Sequence, residues 1–296
     1  MKHTSPDALV FILLGQSNAT GHALPMREED CIREPLSHVF GLSRRENQSL
    51  SLTHLHWSGY TGDMNLAEAQ DHTYSLANCL ARLWQDAWNA GEPLPPLYIV
   101  QIAIGAEGVT EKYMWYPHRP PKLFPGELGT ADISLYPFTR QVFSLLDDSF
   151  RRMNKSYEIL GIHWRGGEEE TDVPVEILET CLRGIYDEIW TGFYQSLGHR
   201  PPIILHTMAC PERTLEMDPT GEGLKSMHFI NRTFARLAEE NENISLFDIR
   251  TAPFYREDIR THGIFLADAT HYTEEANRWT AQQILLQYKK QCSEKT

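Results

Sequence analysis

Residues Ala8-Leu9-Val10-Phe11-Ile12-Leu13-Leu14 are apolar at every position. A strand with one face in water alternates polar and apolar residues, whereas a run apolar at both odd and even positions needs cover on both faces. Four more short apolar runs bounded by turn residues lie at 97–104, 158–164, 202–207 and 244–248. Helical periodicity fills the intervals. It is clearest over 66–90, where Leu76, Leu80, Leu83, Trp84 and Ala87 share a face, and it returns over 138–152, 175–197 and 224–239. Strands alternating with helices predict an α/β fold, a five-stranded parallel sheet covered on both faces. Sites in such sheets lie at the carboxyl edge of the strands.

The 296 residues read as one domain spanning 1–296, with no linker, repeat or low-complexity tract. The surplus length falls in two long loops, at about 25–65 and 110–134. The second carries Tyr113, Trp115, Tyr116, His118, Arg119 and Phe124, whose rings suit either the apolar faces of sugars in a cleft or packing of the loop onto the body. A net charge of -13 without a basic stripe argues against nucleic acid. His54 and His56 stand at strand spacing with no cysteine or carboxylate cluster nearby, so no metal site is expected. The start of the chain has no run long enough to span a membrane and no convincing cleavage site. Cys31, Cys79, Cys181, Cys210 and Cys292 show no metal-type pairing. As the sequence stands, these features suit a cytoplasmic protein with reduced thiols, or an exported one if a leader has been removed.

The first apolar run ends in Gly15-Gln16-Ser17-Asn18. Glycine there permits a sharp turn, which places Ser17 at the sheet edge and the start of a helix, where a serine serves either as a helix cap or as a nucleophile. A nucleophilic serine needs a base and donors for the oxyanion. Asp268-x-x-His271 supplies an imidazole and a carboxylate on one turn of backbone, ahead of a last helix capped by Thr273. Gly105, just past the 97–104 strand, is a candidate oxyanion donor. The 158–164 strand runs on into Arg165-Gly166-Gly167-Glu168-Glu169-Glu170.

In this order, Gly15-Gln16-Ser17-Asn18, Ile104-Gly105 with Gly108-Val109, Trp164-x-x-Gly167-Glu168 and Asp268-x-x-His271 resemble the blocks of the sialate O-acetylesterase-like carbohydrate esterases, a branch of the SGNH hydrolases. The resemblance spans residues 9 to about 285. It implies a flavodoxin-like three-layer α/β/α fold and a Ser-His-Asp esterase that needs no cofactor and acts on acetyl esters of sugars. Its partner would be a small-molecule or oligosaccharide acyl ester. Carried over by position, Ser17 is nucleophile and first oxyanion donor, His271 the base, Asp268 its orienter and Gly105 the second donor, with Gln16, Gly166 and Glu168 completing the oxyanion and substrate-binding set. The family's third block reads Trp-x-Gln-Gly-Glu-x-Asp, so Gly166 stands where a glutamine amide is expected and Glu170 where the aspartate is. Arg165, His163 and the Gly166 amide are the possible substitutes for that donor. Glu168 is the alternative orienter of His271. Other acyl esters, or sugar binding with weakened catalysis, are the competing functions.

Overall fold

The computed structural model describes residues 6–22, 27–70, 73–125, 131–170, 175–211 and 220–294. Its strands are β1 (Ala8–Gly15), β2 (Val39–Leu42), β3 (Trp57–Gly59), β4 (Leu97–Ala103), β5 (Leu123–Pro125), β6 (Ala131–Ile133), β7 (Tyr157–Arg165), β8 (Ile203–His206) and β9 (Ile244–Phe247). The helices are α1 (Ser17–Thr20), α2 (Arg44–Asn47), α3 (Leu76–Asn89), α4 (Leu135–Ser144), α5 (Leu146–Arg152), α6 (Val175–Leu197), α7 (Glu222–Glu240) and α8 (Glu274–Glu294). The main sheet is ordered β3-β2-β4-β1-β7-β8-β9, and only the β2–β3 pairing is antiparallel.

The five strands expected from the sequence are all present as β4-β1-β7-β8-β9, the second-first-third-fourth-fifth order of flavodoxin-like sheets. The sheet nonetheless has seven strands rather than five. The two additions come from the 25–65 segment read as loop. They are short, Val-Phe-Gly-Leu and Trp-Ser-Gly, and β3 is only half-buried at the sheet's edge. Segments this brief carry no periodicity to read.

Strand period explains the layers. From β1, Ala8, Val10, Ile12 and Leu14 enter the core with α4, α6 and α7, while Leu9, Phe11 and Leu13 enter the other with α3 and α8. Every residue of β1 is buried. Truncating one such side chain, Phe11→Ala for example, would cost about 3–5 kcal/mol.

The 66–90 pattern yields a helix only from Leu76. Ser75 Oγ accepts the Asn78 N–H at 3.3 Å, and Asn78 Oδ1 accepts the Ser75 N–H at 2.9 Å, a reciprocal box that fixes the start of α3. Upstream, Asn65 pairs with Ala103 through its side chain, Nδ2 to O at 2.8 Å and N to Oδ1 at 3.0 Å, holding 65–68 along the end of β4. The 138–152 pattern resolves into α4 and α5, separated at Leu145. No helix among the described residues is long and apolar enough to cross a membrane.

Candidate active site

The parallel register sets Gly15 level with both Ala103 of β4 and Arg165 of β7, so three central strands end together. Two residues beyond those ends come Ser17, Gly105 and Gly167. Gly15 adopts φ 140°, and a Cβ there would fall 1.7 Å from the Arg165 carbonyl oxygen. Only glycine allows this turn. The Gln16 N–H then donates to Arg165 O at 3.0 Å, and α1 begins at Ser17. Gln16 therefore occupies the cap position and Ser17 the first helical one, which removes the serine-cap reading. Ser17 is 8% exposed.

Asn18 ties the blocks together. Its Nδ2 donates to Glu168 Oε1 at 2.7 Å and to the Thr270 carbonyl at 3.0 Å, and its Oδ1 accepts the Tyr272 N–H at 3.0 Å. The residue after Ser17 is thus bonded to the neighbours on both sides of His271, across some 250 residues of chain. Glu168 Oε2 also accepts from Gln16 Nε2. Gln16 is wholly buried and Glu168 nearly so. Both clamp the serine turn to the end of β7, and Glu168 makes no hydrogen bond to His271 among the described residues.

Asp268 contacts the imidazole instead. His271 Nδ1 lies 2.7 Å from Asp268 Oδ2, while Asp268 Oδ1 accepts the N–H groups of Thr270 at 2.9 Å and His271 at 3.0 Å. One carboxylate thereby shapes the turn and orients the ring. Ala269 inside it has φ 54°, a left-handed conformation costly for alanine and held here by those bonds. Burial works to raise the Asp268 pKa, yet the hydrogen bonds from His271 and Thr270 outweigh it and hold the group below its ordinary value. An ionised Asp268 accepts a proton-bearing Nδ1, leaving the Nε2 lone pair for other work. The turn rests on Tyr272, whose ring stacks on Phe265 at 5.0 Å and lies under the Arg165 guanidinium at 4.6 Å. Thr273 caps α8 as expected, its Oγ1 accepting the Ala276 N–H at 3.2 Å.

Other expectations are corrected. His163 and Arg165, read as substitute oxyanion donors, sit at odd positions of β7 and point to the α8 face beneath the site. Arg165 donates to Asn277 Oδ1 at 2.5 Å, Thr280 Oγ1 at 3.3 Å and His206 Nδ1 at 3.4 Å. His206 must therefore carry its proton on Nε2, which faces His163 Nδ1 at 2.9 Å. Burial, reinforced by Arg165, pushes the His163 pKa down to about 3 and lowers that of His206 well below its ordinary value. Trp115 is a packing residue rather than a cleft wall: it is buried, donates to Gly15 O at 3.1 Å and meets Trp164 edge to face. Tyr113 is held by its hydroxyl on Glu169 O at 2.7 Å. The side chain of Phe124 lies outside the described residues. Gly166 leaves room for a side chain only against the Trp164 ring, 3.4 Å away.

Gly105 reaches the edge, but its N–H is engaged by Glu68 Oε2 at 2.9 Å. The other oxygen of Glu68 lies 3.2 Å from His22 Nε2, and the His22 ring centre is 6.3 Å from that of His271. The sequence reading missed this second imidazole–carboxylate pair. Its signal was Ser75-x-x-Asn78, which starts the helix after Glu68 and frees that residue for the edge. Among the described residues no group of three or more His, Cys, Asp or Glu side chains is placed to hold a metal ion. Nor does Ser17 Oγ form a hydrogen bond with His271 among them. A cavity of about 600 Å³ is lined by residues that include Phe254, Thr273, Arg278 and Trp279, and neither Ser17 nor His271 is among its lining residues.

Among solved structures, NanS aligns over 97% of this chain and 99% of its own, with a TM-score of 0.58 at 15% identity. The chain shares the NanS fold. The carbohydrate acetylesterase XAC1771 from Xanthomonas citri (TM-score 0.48, 12% identity, 94% of this chain and 54% of that one) and the Axe2 acetylxylan esterase from Geobacillus stearothermophilus (0.45, 14%, 97% and 95%) align more loosely. No protein-family model and no curated protein matches the sequence. The resemblance read from the sequence blocks is thus met at the level of fold, and the NanS likeness extends over nearly the whole chain.

Proposed function

We propose that this chain is a serine esterase that removes acetyl or other small acyl groups from a carbohydrate. The observation that carries the reading is Asn18, whose side chain binds the backbone on both sides of His271 and so brings the Ser17 and His271 turns to one edge. The Asp268–His271 bond of 2.7 Å supplies the oriented base. The substrate class rests on the resemblance of the four blocks to sialate O-acetylesterase-like enzymes.

In the mechanism, Ser17 Oγ attacks the ester carbonyl as His271 Nε2 takes its proton, and the carbonyl electron pair moves onto oxygen. The Ser17 N–H, at the first turn of α1, faces the developing charge. When the pair returns, the bond to the sugar oxygen breaks and His271 hands that oxygen the proton. Water then attacks the acyl-enzyme by the same route, releasing the acid and restoring Ser17. Asp268 stays ionised and keeps the imidazolium in place. Ser17→Ala and His271→Ala are each expected to lower hydrolysis of p-nitrophenyl acetate at least about ten-thousandfold with circular dichroism unchanged. Full activity in either variant contradicts the mechanism.

A second reading, sugar binding with little catalysis, draws on the engaged Gly105 amide. Measurable sugar binding by a protein whose Ser17 resists a fluorophosphonate would favour it.

A further inference from the structure

The proposed esterase lacks two of the donors its oxyanion would use. Gly166 has no side-chain amide, and the Gly105 N–H is held by Glu68. His22 stands beside Gly105. Gly21 ends α1 in a left-handed turn at φ 86°, and the next amide, that of His22, donates to Ser17 O at 3.0 Å. One turn of backbone therefore separates this imidazole from the serine. A Cβ built on Gly105 would fall 2.6 Å from His22 Cε1 and 3.1 Å from Nδ1, so the ring occupies the place a side chain at 105 would take. Nε2 is anchored on Glu68, whereas Nδ1 has no hydrogen-bond partner among the described residues. The side chain is 37% exposed.

We propose that His22 is a further catalytic residue, the side-chain donor that binds the tetrahedral oxyanion in place of the amide missing at position 166, with Glu68 as its positioning residue. No bond to His22 is made or broken. As the Ser17 Oγ–carbon bond forms, the carbonyl pair shifts to oxygen and Nδ1–H donates to it; when the sugar oxygen leaves, the pair returns and the hydrogen bond relaxes. The hydrogen bond to Glu68 raises the His22 pKa against the opposing effect of burial, which favours the form with protons on both nitrogens. Glu68 is itself fixed. Arg44 Nη1 donates to its carbonyl at 2.7 Å and to Asp63 Oδ1 at 2.8 Å.

This inference rests on the reading of Ser17 as nucleophile, and the test separates the two. Steady-state kinetics on an acetyl ester would compare the wild-type protein with Ser17→Ala, His22→Ala, His22→Gln and Glu68→Gln. His22→Ala is expected to lower kcat about a hundredfold to a thousandfold with KM within about threefold, the loss of one oxyanion donor. His22→Gln, which keeps an N–H donor, should recover part of that loss. Glu68→Gln should lower kcat roughly tenfold, and it carries the test should His22→Ala fail to fold. Ser17-dependent hydrolysis with kcat unchanged in both His22→Ala and Glu68→Gln, or with only KM raised, overturns the role of His22 and leaves the esterase standing. Hydrolysis that does not depend on Ser17 overturns both.

Discussion

Four histidines lie within one strand length of the sheet's carboxyl edge, two at the rim and two in the interior beneath. At the rim, His271 and His22 each bond a carboxylate, Asp268 at 2.7 Å and Glu68 at 3.2 Å, and their side chains are 22% and 37% exposed. Below, His163 and His206 are fully enclosed and bond each other, with Arg165 as the charged neighbour. The side chain is the same and the partner decides its chemistry. The Glu68 carboxylate favours a second proton on His22, while burial, reinforced by the Arg165 guanidinium, keeps the interior pair uncharged. In the proposed mechanism the polar interior is a scaffold that does not compete for the proton His271 would move.

The largest effect should come from weakening the rim. Asp268→Asn keeps the acceptor for the turn amides but loses the charge that fixes the His271 tautomer, and kcat should fall about a thousandfold to ten-thousandfold. A loss below tenfold would mean that His271 is oriented by something else, and the contrast between rim and interior would lose its basis.

The interior should declare itself in stability rather than rate. With folded-state pKa values below the unfolded 6.5, His163 binds fewer protons folded than unfolded as pH falls from about 6.5 towards 3, and His206 does likewise as pH falls below 6.5. Their contribution is therefore present near neutrality and lost on acidification, with a slope of about 1.4 kcal/mol per pH unit for each. Glu170 acts in the opposite sense. Burial lifts its pKa to about 7 against the Val109 N–H bond of 2.7 Å, so it withdraws stability as pH rises from about 4.5 to 7. Urea denaturation at pH 7.5 and 4.5 should show His163→Phe less pH-dependent than wild type, and Glu170→Gln gaining on wild type at the higher pH. Identical pH dependence in His163→Phe would mean that His163 takes up its second proton in the folded protein as readily as in the unfolded chain.

Much of this arrangement was open to reading in the residues. β1 is apolar at every position and β4 at all but Gln101, which is why they stood out; α6 coincides with its pattern because one long helix leaves a strong signal. Asp268 and His271 were visible as a pair because their contact is local. Glu68 and His22 were not, being 46 residues apart and joined only when Asn65 lays the intervening segment along β4. The inward turn of His163 and Arg165 was hidden for another reason. Which parity of β7 faces α8 is set by packing of the whole sheet, not by β7 alone. β2 and β3 were too short to announce themselves, and Trp115 gave no sign of preferring Gly15 to a ligand.

The central claim is that folding delivers His271 to Ser17, and labelling with a fluorophosphonate tests it directly. Mass spectrometry should locate the adduct on Ser17 in the wild-type protein and show its rate of formation collapse in His271→Ala. An adduct elsewhere, or labelling of Ser17 as fast without the imidazole as with it, would contradict the account.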